Sequence, residues 1–185
     1  MLVMVASGAR TPVRADPSIT AIAVGGGAMI VFGLMRETPP PRFPDTVAAG
    51  AGLFDAVDSE TRAVSIRVEY RPEFVYRRIG TLFGVEATTD GGFIGYAGLR
   101  VDVALGRRLL VSSNFSLAAY VEGDGKDLGA PVHFRSGIDL FWRLDGAGRI
   151  GLSFHHMSHA GLLGDANPGT ETLLLTYSVP LGRIL

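Results

Sequence analysis

The stretch Val64–Arg71, VSIRVEYR, alternates strictly between apolar and polar residues. Its apolar members are Val64, Ile66, Val68 and Tyr70, and its polar members are Ser65, Arg67, Glu69 and Arg71. Successive side chains of a β-strand point to opposite faces, so a period of two predicts a strand. One face of this strand is apolar, and the other carries charges of both signs.

The same alternation recurs along the chain after Asp45. Its apolar members run through Val47–Leu53, Phe83–Ala87, Phe93–Val103, Leu109–Val121, Val132–Trp142, Ile150–Phe154 and Leu173–Val179. Short connections such as Gly106-Arg107 and Thr89-Asp90-Gly91 favour antiparallel neighbours in up-and-down order. No run is helical for long enough to supply the crossover that parallel strands need. We therefore predict an all-β protein, an eight-stranded antiparallel up-and-down barrel.

The charged face decides between two kinds of barrel. A soluble lipid carrier turns its apolar face inward, whereas a transmembrane barrel turns it outward to the lipid. The polar face carries Arg67, Glu69, Glu86, Arg100, Asp102, Arg135, Asp139 and Arg143. Such charges can pair in the narrow lumen of eight strands, which side chains just fill. Because long charged lysine and glutamate residues are scarce and the start of the chain outlines an export leader, we predict a transmembrane barrel. A soluble lipocalin-like lipid binder is the alternative.

Composition excludes several classes of protein. With 185 residues, of which 47% are hydrophobic and 19% charged, the chain fits one folded domain and not a disordered segment. A net charge of −1 gives no basic field for nucleic acid, so we expect no nucleic-acid partner. The absence of cysteine excludes disulfides, cysteine nucleophiles and thiolate zinc sites.

Residues 1–43 precede the first strand and differ from the rest of the chain. The apolar stretch Ile19–Met35 is shorter than the roughly 20 residues of a membrane-spanning helix. Arg10 and Arg14 precede it and the proline-rich run Thr38–Pro44 follows it, which loosely outlines an export leader. We expect residues 1–43 to be a leader or another non-barrel segment and residues 44–185 to form the barrel. The alternatives are a leader limited to Met1–Ala15, a first strand or a misassigned start.

His156, Ser158 and Glu171 are polar residues on the face assigned to lipid. His156 and Ser158 share the parity of Phe154, and Glu171 shares that of Leu173 on the next strand. Polar groups facing lipid are costly and point to a function. In acyl transfer an imidazole takes the serine proton, and a carboxylate orients the imidazole. Pairing of the two strands would bring Glu171 to His156, and the site would lie on the last two strands.

Neighbouring groups could complete such a site. The Asn167 amide and a backbone N–H near Ala160–Gly161, assigned here to Gly161, could donate to a developing oxyanion. Phe154 and Leu173 could bind an acyl chain.

Two other interpretations of this segment stay open. Strands also carry His-x-Ser pairs without any function. His155, His156 and His159 suggest a metal, but His155 and His156 point to opposite faces of a strand and no acidic pair is near them. We predict no metal and no cofactor.

The ordered motifs of this segment resemble the lipid A 3-O-deacylase family, the PagL-like outer-membrane acyloxyacyl hydrolases. The matching residues are His156-x-Ser158-x-Ala160-Gly161-Leu162, Asn167-Pro168-Gly169-x-Glu171 and Tyr177-Ser178-Val179-Pro180-Leu181, with Phe83–Glu86 and Glu122–Leu128 upstream. The resemblance implies an eight-stranded barrel in the outer membrane of a Gram-negative bacterium. It also implies ester hydrolysis that removes the 3-O-linked acyl chain from lipid A.

Carried onto this sequence, the family's roles make Ser158 the nucleophile, His156 the base and Glu171 the residue that orients His156. Asn167 matches the oxyanion-hole position, and His159 departs from the family where asparagine is expected. The implied partners are lipopolysaccharide and outer-membrane lipid, and pairing of two copies into a homodimer is left open. A non-catalytic small outer-membrane barrel is the competing hypothesis.

Overall fold

The computed structural model describes Val31 and residues 44–183, except residues 59–60, 74, 77–78, 146–147 and 165. The strands are β1 (Thr46–Phe54), β2 (Ala63–Arg71), β3 (Val75–Tyr76), β4 (Ile79–Thr88), β5 (Phe93–Leu105), β6 (Leu109–Val121), β7 (Val132–Arg143), β8 (Arg149–Ser158) and β9 (Thr170–Pro180). A 3-10 turn, Leu181–Arg183, follows β9. In this described part no helix is long and apolar enough to span a membrane. The predicted leader, residues 1–43, lies outside the described residues except for Val31.

The long strands close into a barrel. Each pairs antiparallel with its neighbour, β1 pairs with β9, and β2 pairs with β4 to complete the ring. The predicted eight-stranded antiparallel barrel is confirmed. The two-residue strand β3 pairs with the start of β4 and was not predicted, because two residues carry no measurable period.

The apolar face points outward, as predicted for a transmembrane barrel. Ile66 is 61% exposed and Leu175 is 58% exposed, whereas Arg67 and Glu69 are fully buried. Buried charged residues of this inward set include Arg71, Glu86, Arg100, Asp102, Arg135 and Asp139. Arg143, which was predicted with them, is only half-buried at the end of β7. A lumen lined by charges is the opposite of a soluble lipid carrier's apolar interior.

Ion pairs fill the middle of the lumen. Arg71 donates to Glu69 and to Asp139, in both cases at 2.6 Å. Arg67 donates to Ser153 at 2.9 Å and to Thr176 at 3.0 Å. Buried charges are tolerated when they are paired and hydrogen-bonded on several sides. These contacts join β2 to β7, β8 and β9 across the interior, so side chains occupy the lumen at this level.

One end of the barrel carries the connections 55–62, 89–92, 122–131 and 159–169, and we call it the loop end. Inward apolar side chains toward this end form one buried cluster. Its members are Phe54, Ala63, Leu82, Ile94, Tyr96, Ala118, Tyr120, Leu128 and Met157. Phe54 and Tyr120 stack with ring centroids 6.1 Å apart.

Candidate active site at the loop end

His156 and Glu171 face each other across the last two strands. They are register partners of β8 and β9. The Glu171 Oε1 atom lies 2.8 Å from His156 Nδ1. The two side chains are 12% and 2% exposed. A carboxylate at Nδ1 holds the imidazole proton on that nitrogen and leaves Nε2 as the basic nitrogen. The predicted meeting of these two residues is therefore observed.

Ser158 is the last residue of β8, two positions beyond His156 on the same face of the strand. It is half-buried, and its register partner is Phe134 on β7. Within the described residues, no hydrogen bond joins its hydroxyl to His156. Catalytic hydrogen bonds are often long before substrate binds. The role of Ser158 stays a prediction, although its position beside His156 outside the lumen fits that role.

Gly169 packs directly against the His156 ring. A Cβ atom built on Gly169 would lie only 2.9 Å from His156 Cε1. Its φ of +67° is also a conformation that L side chains rarely adopt. Asn167-Pro168-Gly169 is therefore more than a turn signal, because its glycine lets the chain approach the imidazole. The motif was noted in the sequence, but this contact was not predicted.

Asn167 connects the two ends of the loop that follows β8. Its Oδ1 atom accepts a hydrogen bond from the backbone N–H of His159 at 3.1 Å. The amide nitrogen of Asn167 is therefore the end left to donate. The N–H that follows Ser158 is thus already used, and Ala160 and Gly161 come next in the loop.

Ala160 and Gly161 form a tight turn beside Ser158. Their φ values are +55° and +71°. The Leu162 N–H donates to the His159 carbonyl at 3.0 Å across this turn. Two consecutive positive φ values are typical of a type I′ turn. A non-glycine residue with positive φ is strained and is often found at functional sites. The predicted donor Gly161 is exposed at the barrel rim.

His159, the departure from the family pattern, holds the same loop. Its Nε2 atom lies 2.7 Å from the Ala166 carbonyl, and its Nδ1 atom accepts from the Leu163 N–H at 3.3 Å. His155 points the other way, into the lumen, and lies 3.3 Å from both Arg67 and Asn114. The histidines of this segment are therefore divided between two faces, as their parity predicted.

Apolar side chains surround the rim next to His156. Phe154 and Leu173 are register partners on β8 and β9, directly below His156 and Glu171. Leu173 is exposed on the lipid-facing wall, and Phe154 is half-buried there. Leu162 is 71% exposed in the loop above. The imidazole thus lies where an apolar wall meets a loop, a setting suited to a substrate with acyl chains.

A cluster of carboxylates that includes Glu171 was not predicted from the sequence. One oxygen each of Asp55, Asp58 and Glu171 lies within 4.8 Å of the others. Lys126 Nζ donates to Asp55 at 2.7 Å and to Asp58 at 3.3 Å, so an ammonium group already neutralises part of the charge of this cluster. The sequence signal was the solitary lysine in Glu122–Leu128.

A known protein family matches the part of the chain that contains His156, Ser158 and Glu171. Residues 92–180, which include β5 to β9, match the family model described as Lipid A 3-O-deacylase (PagL). The resemblance inferred from the sequence is thereby confirmed over these residues. No curated protein matches the chain.

Two solved structures share the fold. The crystal structure of the outer membrane enzyme PagL is similar with a TM-score of 0.58 and 18% identity, covering 74% of this chain and 99% of that one. A de novo designed transmembrane β-barrel is similar with a TM-score of 0.56 and 8% identity, covering 77% of this chain and 98% of that one. At these identities the two likenesses show the fold alone.

Proposed function

Because residues 92–180 match the lipid A 3-O-deacylase family, we propose that this chain is an outer-membrane esterase of a Gram-negative bacterium. It removes the 3-O-linked acyl chain from the lipid A part of lipopolysaccharide. Ser158 is the nucleophile, His156 the general base and Glu171 the residue that orients the imidazole. The single observation that carries this proposal is the 2.8 Å contact of His156 with Glu171 on the outer wall of the barrel.

The first half of the reaction forms an acyl-enzyme. His156 Nε2 takes the proton of the Ser158 hydroxyl while the Ser158 oxygen attacks the carbonyl carbon of the ester. The Asn167 amide and the Gly161 N–H donate to the oxyanion that forms. The imidazolium then gives its proton to the departing sugar oxygen, which leaves as a free 3-hydroxyl group. Glu171 stabilises the imidazolium throughout.

The second half of the reaction releases the fatty acid. Water gives a proton to His156 Nε2 and attacks the acyl-Ser158 carbonyl, and the serine oxygen leaves with the proton that His156 returns. Phe154 and Leu173 contact the acyl chain while the ester lies at the rim. Because these side chains face lipid, substrate reaches the site from the bilayer, and water reaches it from the loop side.

Mass spectrometry of lipid A from Gram-negative cells that express the chain tests this function. We expect loss of one 3-linked acyl chain, and we expect Ser158→Ala and His156→Ala to abolish that loss. Both variants should keep the heat-modifiable migration of a folded barrel in gel electrophoresis. Glu171→Ala should lose less activity, because the orienting residue is often the least essential of the three.

An unchanged lipid A spectrum with a folded barrel in the membrane would favour the competing hypothesis, a non-catalytic outer-membrane barrel. Full activity in Ser158→Ala would refute the assigned nucleophile.

A further inference from the structure

Three segments far apart in sequence meet around Glu171 at the loop end. Asp55 belongs to the turn after β1, Lys126 to the loop between β6 and β7, and Glu171 to the start of β9. The turn is fixed to β9 by a hydrogen bond from the Ala56 N–H to the Glu171 carbonyl at 2.9 Å. The loop is fixed to β6 by a 2.8 Å bond from the Tyr120 hydroxyl to the Lys126 carbonyl.

Three of the four charged residues in this cluster are buried, so their charges interact strongly. Asp55 is fully buried, and Glu171 and Lys126 are 1% and 7% exposed. The two buried carboxylates, Asp55 and Glu171, repel one another strongly because solvent screening is weak there, whereas the Asp58 side chain is 49% exposed. The Lys126 ammonium is the cation that contacts Asp55 and Asp58, at 2.7 Å and 3.3 Å. Burial alone would lower the pKa of Lys126, but its hydrogen bonds to Asp55 and Asp58 raise that pKa overall.

Resting on the proposed function, we propose that Lys126 and Asp55 are positioning residues of the esterase. Lys126 neutralises part of the carboxylate cluster, and Asp55 fixes the ammonium there. Together they hold Glu171 in contact with His156. Neither residue touches the reacting atoms, so both act through Glu171.

The inference predicts opposite effects for the two signs of charge near Glu171. Removing the Lys126 charge raises the proton affinity of the whole site, so the His156–Glu171 pair takes up its first proton at a higher pH. Removing the Asp58 charge lowers that proton affinity. A purely structural role of the loop would give no such change of sign.

Several charged and titratable groups must stay constant in this comparison. From the packed elements, Asp55 and Asp58 lie beside Glu171, and Lys126 bonds both of them. Among the described residues, His133 and His159 also lie at the loop end, and Glu86 and Arg135 lie in the lumen. Only one group is changed in each variant.

The first test follows the imidazole directly and needs no substrate. The full chain carrying 15N-labelled histidine is titrated by NMR in detergent micelles, with the His156→Gln variant assigning the His156 signals. In Lys126→Met the apparent pKa reported by His156 should rise by about one unit. In Asp58→Asn it should fall, and in the charge-preserving Lys126→Arg it should change by less than about a third of a unit. An unchanged or lower value in folded Lys126→Met overturns the inference.

The second test uses deacylation of lipid A by the same purified variants. The acidic limb of the kcat/KM profile should move to higher pH in Lys126→Met, with about tenfold loss of activity below the shifted limb. Asp58→Asn should move that limb to lower pH. If the wild-type chain releases no fatty acid, the proposed function fails, while the NMR titration still decides the role of Lys126. If Lys126→Met does not fold, the other two single variants decide it: Asp58→Asn should report a lower pKa than wild type, and Lys126→Arg a nearly unchanged one. An equal or higher pKa in Asp58→Asn contradicts the inference.

Discussion

The His156 imidazole is held on two sides by residues that come from one hairpin. Glu171 binds Nδ1 at 2.8 Å, and Gly169 leaves the ring edge just enough space. An effective general base needs this kind of fixed orientation, since small misplacements of catalytic groups reduce rates strongly. The ring position therefore depends on a residue that carries no side chain at all.

We predict that Gly169→Ala loses about tenfold to a hundredfold of the deacylase activity while the barrel still folds. The added methyl group would stand 2.9 Å from His156 Cε1 and push the ring away from its position. Fatty-acid release by the purified variant measures this loss.

Gly106→Ala is the matched control for that experiment. Gly106 has a similar φ of +72°, but a Cβ atom there meets nothing within 4 Å. This variant should show a comparable strain cost of about 1 kcal/mol in unfolding and full activity. Equal activity losses in the two variants would mean that backbone strain, not contact with His156, explains the result.

At the scale of single residues, sequence reasoning found the groups that local parity brings together. His156 and Ser158 are two positions apart on a strand, and Glu171 follows from hairpin pairing. Lys126 and Asp55 could not be found in this way, because their contact joins positions 71 residues apart. Only the closed barrel brings those two segments to one place.

Among the elements, the loop between β8 and β9 positions the expected oxyanion donors. His159 binds this loop at three points: its own N–H to Asn167, and its ring to Ala166 and Leu163. The asparagine expected from the family has a shorter side chain and could not span the same two ring contacts. In this chain His159 therefore stabilises the loop conformation.

We predict that His159→Ala loosens the loop while the strands remain intact. Limited proteolysis should cut within residues 159–169 more rapidly than in the wild type, and activity should fall by about tenfold because the donors lose their position. An unchanged cleavage rate together with unchanged activity would contradict this role of His159.

The strands themselves were predictable, because alternation is a local property of the sequence. Val64–Arg71 and Val132–Trp142 each show the period-two pattern without help from other segments. The apolar cluster at the loop end was not predicted. Met157 and Leu128 enter it from a strand and from a loop, and no pattern within either segment indicates that they meet.

Over the barrel as a whole, apolar and charged residues lie on the opposite sides from those of a soluble protein. Lipid-facing apolar residues form the outside, and paired charges occupy the inside. The mixed signs of the inward charges, the scarcity of long lysine and glutamate side chains and the leader-like start of the chain together predicted this orientation. Their actual partners, such as Arg71 with Asp139, required the three-dimensional structure.

We predict that the cost of an outward charge depends on its depth in the bilayer. Ile66→Arg, near the middle of β2, should lower the free energy of unfolding from lipid vesicles by about 2–4 kcal/mol. Leu105→Arg, at the last residue of β5, should cost only about 0–1 kcal/mol. The wild-type residues are 61% and 51% exposed, so exposure is nearly matched and depth differs. Equal costs in urea titrations would contradict the assigned orientation.

Covalent labelling in the bilayer can show whether Ser158 is an activated nucleophile on the lipid-facing wall. A fluorophosphonate with a long alkyl chain is incubated with the barrel in lipid vesicles, and the adduct is located by peptide mass spectrometry. We expect one adduct, on Ser158, that is lost in His156→Ala. A chain that deacylates lipid A yet carries no adduct on Ser158, or carries it on another residue, would rule out Ser158 as the nucleophile.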